Sequence, residues 1–142
     1  MARKIIITAV DSNFDEKEDF FLLNDEWVCI KNQGTTTENL AGWILLKRKP
    51  GDNKHYDHFY FPALIGERKT EFKPGQMVFV MTGPGQDRFI PASEEGPSQY
   101  HFFRNLDNLI LNNRGDKMCL FAHVRKGTNE TYEMVDIKEI GK

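Results

Sequence analysis

The stretch from Glu26 to Leu46, EWVCIKNQGTTTENLAGWILL, restricts what this chain can fold into more than any other. Glu26–Asn32 is dense in β-branched and aromatic residues, the types that suit a pleated, half-buried surface. Gln33–Asn39 is Gly, Thr and Asn, and Gly42–Leu46 opens on Gly-Trp and runs apolar. The pattern predicts a strand, a polar turn and a second strand, a hairpin. Its central Trp43 requires another apolar layer against it.

The rest of the chain supplies candidates for that layer. Lys4–Val10, Asp57–Phe61, Met77–Met81, Tyr100–Phe103, Lys117–Val124 and Tyr132–Ile137 all read as strands. Turn chemistry separates them: Pro62, Lys73-Pro74-Gly75-Gln76, Asn112-Asn113-Arg114-Gly115-Asp116 and Gly127-Thr128-Asn129. About eight short strands without an amphipathic helix predict an all-β, antiparallel sandwich or barrel. At 142 residues the chain fits one domain, 1–142 with its core over about 4–138.

Several functions find no support. A net charge of −2 creates no global pull toward nucleic acid or an anionic membrane. The N-terminal residues lack the apolar length and cleavage site of a signal peptide, and no stretch reaches a membrane span, so a soluble, cytoplasmic protein is expected. Asp11, Asn13 and Asp15 begin like a calcium loop, yet Glu16 stands where Gly is needed and Leu22 where the bidentate Glu is needed. His55 and His58 suggest zinc, but a spacing of three puts them on opposite faces of a strand and no third ligand is near. The Gly-rich Thr82–Asp87 segment lacks the Gly-Lys-Ser/Thr ending of a phosphate loop. Arg114-Gly115-Asp116 is better explained by Gly at a positive φ in a turn than as an adhesion motif. The serines, carboxylates and four histidines are scattered, so no catalytic residue and no cofactor is assigned. Cys29 and Cys119 alternate with apolar core positions, which turns both outward onto separate faces as free thiols.

The order of these signals resembles the lamin-tail domain family. The carrying residues are Leu23–Asn32 followed by Gly34, then Leu40-Ala41-Gly42-Trp43-Ile44-Leu45. Phe59-Tyr60-Phe61-Pro62, Lys73-Pro74-Gly75-Gln76, Thr82-Gly83 and Leu111–Leu120 arrive in the family's order. Ala41 replaces the usual Ser, and a basic insert follows Leu46. The resemblance implies an immunoglobulin-like antiparallel β-sandwich without catalytic residues. Trp43 would fill the inter-sheet layer with Val28, Ile30, Leu45 and Leu120 around it. Leu40 would pin the turn, Asn32 and Asn112 would bond backbone groups, and Gly42 and Gly115 complete the signature.

Binding is the better expectation. Trp27, Cys29, Ile44, Leu46, Val78, Val80 and Phe121 read as an apolar set on outer faces. Either the long loops Phe14–Leu23 and Pro84–Ser98 cover it, or it meets a partner, another protein or a second copy. The alternative is a nucleic-acid or polyanion accessory domain using Lys47, Arg48, Lys49, Arg68 and Lys69, a role to which the family's links with chromatin and nucleases lend support.

Overall fold

The computed structural model describes residues 3–13, 20–52, 54–111 and 113–141. Asn112 and residues 14–19, which carry part of the readings above, lie outside them. In chain order the strands are β1 (Ile5–Asp11), β2 (Trp27–Asn32), β3 (Glu38–Asn39), β4 (Ile44–Arg48), β5 (His55–Tyr60), β6 (Leu64–Ile65) and β7 (Arg68–Lys69). They continue with β8 (Glu71–Phe72), β9 (Met77–Met81), β10 (Arg88–Ile90), β11 (Gln99–Phe103), β12 (Lys117–Lys126) and β13 (Asn129–Glu139). All eight strands expected from the sequence are present; β3, β6, β7, β8 and β10 are short additions in the connections. No helix among the described residues is long and apolar enough to cross a membrane.

Two sheets face each other. The first runs β1-β2-β9-β11-β10 and the second β13-β12-β4-β5. Pairing is antiparallel except between β9 and β11, which run parallel. One side of the sandwich is closed where β1 meets β13, and the Ile7 amide donates to the Asp136 carboxylate at 2.7 Å. Away from the bulges, inward residues alternate with outward ones along the strands, and Val28, Ile30, Trp43, Leu45 and Leu120 are all buried in one apolar core.

The expected hairpin over Glu26–Leu46 is corrected by this topology: β2 and β4 lie in opposite sheets. Its turn region is a crossover, held by the β3–β8 pair and by Asn32, whose Nδ2 donates to the Thr36 and Phe72 carbonyls. The Leu40 amide bonds Thr70 and the Trp43 amide returns to Leu40, so Trp43 enters the core from a tight corner. Gly42 sits in that corner at φ +78, where a Cβ would meet His123 at 3.2 Å. Short polar segments close hairpins and crossovers alike, and strand periodicity does not tell them apart.

A buried carboxylate fixes the other end. Glu26 has no exposed surface, and it accepts bonds from Thr82 Oγ1 (2.6 Å) and from the Ile110 and Leu111 amides (2.9 and 3.0 Å). The Ile110 carbonyl in turn accepts from Lys47 Nζ at 2.6 Å. The segment entering β12 is therefore tied to both sheets by charge-assisted bonds. Replacing Glu26 by Gln puts a donor where donors already point. This substitution is expected to cost about 2–4 kcal/mol, read as a fall in the urea midpoint at unchanged slope.

Candidate functional site

β5 carries the local irregularity that builds the site. Leu45 pairs with Phe59 and Lys47 with Tyr56, so Asp57 and His58 together oppose Leu46. This is a β-bulge, with Asp57 at φ +54, a conformation that Asp tolerates better than most residues. Arg104 Nη1 donates to the Asp57 carbonyl at 2.8 Å, and the Asp57 carboxylate lies 3.3 Å from Lys47 Nζ. The extra residue reverses the alternation. His55 and His58 thus share one face, ring centroids 6.4 Å apart, instead of opposing each other as the spacing predicts. His58 also stacks on Tyr60 at 6.2 Å. No group of three His, Cys, Asp or Glu that could hold a metal occurs among the described residues.

The outer face of the second sheet carries continuous apolar rows. Met134, Phe121, Ile44 and Tyr60 are successive cross-strand partners over all four strands, and Ile137, Cys119 and Leu46 form the next row. Ile44, Leu46 and Cys119 are buried as a cluster separate from the main core, with Phe121 against them. The flanks stand open: Tyr60 is 59% exposed, Tyr132 48% and Met134 45%. Between floor and flanks lies a trough of about 200 Å³, lined by Ile44, Leu46, His55, His58, Tyr60, Phe121 and Tyr132. The expected face residues Ile44, Leu46 and Phe121 are therefore brought together here.

Each end of this face is polar. At one end a groove of about 310 Å³ is lined by Arg48, Lys49, Pro50, Gly51, Asp52 and Lys117. Arg48 Nη2 lies 3.2 Å from His55 Nε2, which joins groove to trough. At the other end β12 runs past its last partner in β4, so Ala122–Lys126 pairs with β13 alone as a two-stranded arm. Glu130 there bonds Arg125 at 2.7 Å and meets His123 at 3.3 Å, and the Arg125 guanidinium holds its carboxyl below the usual range.

The first sheet's outer face differs from the sequence reading. Val78 and Val80 belong to the main core, so they are not face residues; Met77, Phe79 and Met81 take the outer side. β2 sets this register, because Val28 and Ile30 pair with Val80 and Val78 and all four point inward. Trp27, Phe79 and His101 form an edge-to-face ladder at 5.4 Å steps. Part of the face is covered by loop: Gly85 lies so close to Phe103 that a Cβ would sit 2.5 Å from its ring. Cys29 and Cys119 lie on outer faces as expected, yet both are buried there.

The proposed polyanion residues do not converge. Lys47 is corrected outright: it is buried between the sheets, bonded to Ile110 and paired with Asp57 and Asp116. Asp116 is buried as well, so the Arg-Gly-Asp tripeptide is not displayed. Arg68 packs over the Phe89 ring at 3.9 Å, near the Trp43 end of β4, with Lys69 beside it. Arg48 and Lys49 stand at the other end, roughly 16 Å along the strand. Asp57, Glu26, Tyr132 and Met134 were missed by sequence reasoning; only Asp57, a poor strand former inside a strand, left a readable signal.

Residues 1–138 match the family model described as Lamin Tail Domain. No curated protein matches the chain.

Two outcomes follow from burial. It pushes both thiols up, so Cys29 and Cys119 should resist iodoacetamide in the folded protein and react together on unfolding, scored by intact mass. Burial and the Arg88 guanidinium hold the His101 imidazole below its ordinary value of 6.5. A histidine depressed in the folded state stabilises above the unfolded value, and that contribution is lost as pH falls through the folded one. Denaturant stability should thus decline below about pH 6.5, and less steeply in His101→Gln.

Proposed function

The chain belongs to the lamin-tail domain family, and on that premise we propose that it is a single-domain, non-catalytic module that associates with another protein or with itself. The family's fold is immunoglobulin-like, and such modules are often involved in protein interactions. The observation that carries the reading is the apolar row Met134–Phe121–Ile44–Tyr60 on the outer side of a sheet whose inner side already fills the core. An apolar surface with open flanks and a buried floor is the kind of patch that marks an interaction site. Its centre is free of charge and its ends are polar, the anatomy of an interface core and rim.

A polyanion-binding role is the second reading, favoured by the cationic groove at Arg48, Lys49 and Lys117. Its weakness is the distance of Arg68 and Lys69 from that groove and the engagement of Lys47 in buried ion pairs.

Tyr60→Asp and Met134→Asp test the primary reading, since both side chains are exposed and neither supports the core. Affinity capture from lysate and sedimentation measurements of mass should show a partner or a concentration-dependent mass for the parent chain, and neither for the variant that combines Tyr60→Asp with Met134→Asp. Equal capture by both, or none with a monomer throughout, would overturn the reading.

A further inference from the structure

The trough and the cationic groove form one continuous surface, and their chemistry narrows the partner. Leu46 on the trough floor is two residues from Arg48, and Arg48 contacts His55 on the trough wall. The groove sets Arg48, Lys49 and Lys117 against one carboxylate, Asp52. Both oxygens of Asp52 are engaged, one by the Lys54 amide at 2.8 Å and one by the Tyr56 hydroxyl at 2.8 Å. Arg48 is half-buried, and its Nε is buried without a hydrogen-bond partner among the described residues.

Resting on the interaction-module reading, we propose that this surface docks an extended acidic peptide segment of a partner protein. A bulky apolar side chain enters the trough between Tyr60 and Phe121, and neighbouring Asp or Glu side chains lie in the groove on Arg48 and Lys117. The shapes support this choice over a second copy of the same face. The floor is sunk and the flanks stand up, so two such faces would meet flank to flank and leave a gap above Leu46 and Cys119. A single side chain on an extended backbone fills a trough of about 200 Å³ without that gap. Charge favours it too. Arg48, Lys49 and Lys117 line the groove with Asp52, and Glu139 lies across the ladder from Lys117. The surplus of positive charge complements an acidic segment, and charge-assisted bonds to Arg are strong and directional. Nucleic acid offers the anions, but flat base rings carrying at most one methyl group fill the floor of Ile44 and Leu46 less well than a branched or aromatic side chain.

Nitrogen-labelled full-length chain, titrated with a synthetic ten-residue peptide carrying Leu-Phe next to Asp-Glu-Asp, tests this by amide chemical shifts. Shifts should be confined to β4, β5, the turn residues Lys49–Asp52, β12 and the Tyr132 region of β13. Affinity should fall about tenfold when the acidic residues become lysine or when Leu-Phe becomes Ala-Ala. Lys117→Glu, at an exposed position, should weaken binding similarly, as should Arg48→Glu where that variant folds, whereas Arg68→Glu should not. Absence of shifts at millimolar peptide, or equal binding of the lysine peptide, overturns the inference. So does a ten-nucleotide single-stranded DNA that binds the same residues more tightly. A concentration-dependent mass abolished by Tyr60→Asp would replace the peptide by a second copy and leave the module reading standing. No peptide binding, no self-association and no capture would remove both.

Discussion

The Glu26 carboxylate is the interaction on which the arrangement of the second sheet depends. β12 must lie beside β4 for any outer face to exist, and the chain reaches β12 through Ile110 and Leu111. Their amides have no strand to bond, and a buried amide without an acceptor costs about 1–3 kcal/mol. Glu26 supplies both acceptors from the first sheet, and Lys47 takes the Ile110 carbonyl from the second. One acid and one base, each buried, thus register the two layers against each other. Charges in such a place are tolerable only because each has its own partners: Thr82 and the Ile110 and Leu111 amides for Glu26, and Asp57, Asp116 and the Ile110 carbonyl for Lys47.

From that registration the outer face follows almost without further choice. Inward Leu45, Met118 and Leu120 fill the core, so Ile44, Leu46, Cys119 and Phe121 must point out. What is not forced is the sharing of that face by His55, His58 and Tyr60. It comes from the bulge at Asp57, which adds one residue to β5 and reverses its alternation at that point. The bulge is secured by Arg104 on one side and Lys47 on the other, so a feature of the edge strand is anchored in the sandwich interior.

Much of this was legible in the amino-acid sequence. The positions of the long strands follow from runs of Val, Ile and Phe between turn residues, and Trp43 announces itself as a core residue by its aliphatic neighbours. The pairing of β2 and β4 was not legible, because alternation records which way a side chain points and says nothing about which strand lies next door. Val78 and Val80 were misplaced for the related reason that Met77–Met81 is apolar at every position; only the pairing with Val28 and Ile30 selects the inner side. Lys47 read as an exposed polyanion contact with Arg48 and Lys49, since its two acidic partners, Asp57 and Asp116, are distant in sequence. The trough drew its floor from residues the sequence did single out and its walls in part from Tyr60 and Tyr132, which it did not.

The two-stranded arm beyond the last β4 partner has a mechanical consequence. Over Ala122–Lys126 the sheet narrows from four strands to two, so bending stiffness drops abruptly at Phe121. Tyr132 stands on the compliant portion while Ile44 and Leu46 stand on the stiff portion. The trough therefore spans a change in strand number, with one wall on the four-stranded sheet and the other on a ribbon held by fewer ladder bonds.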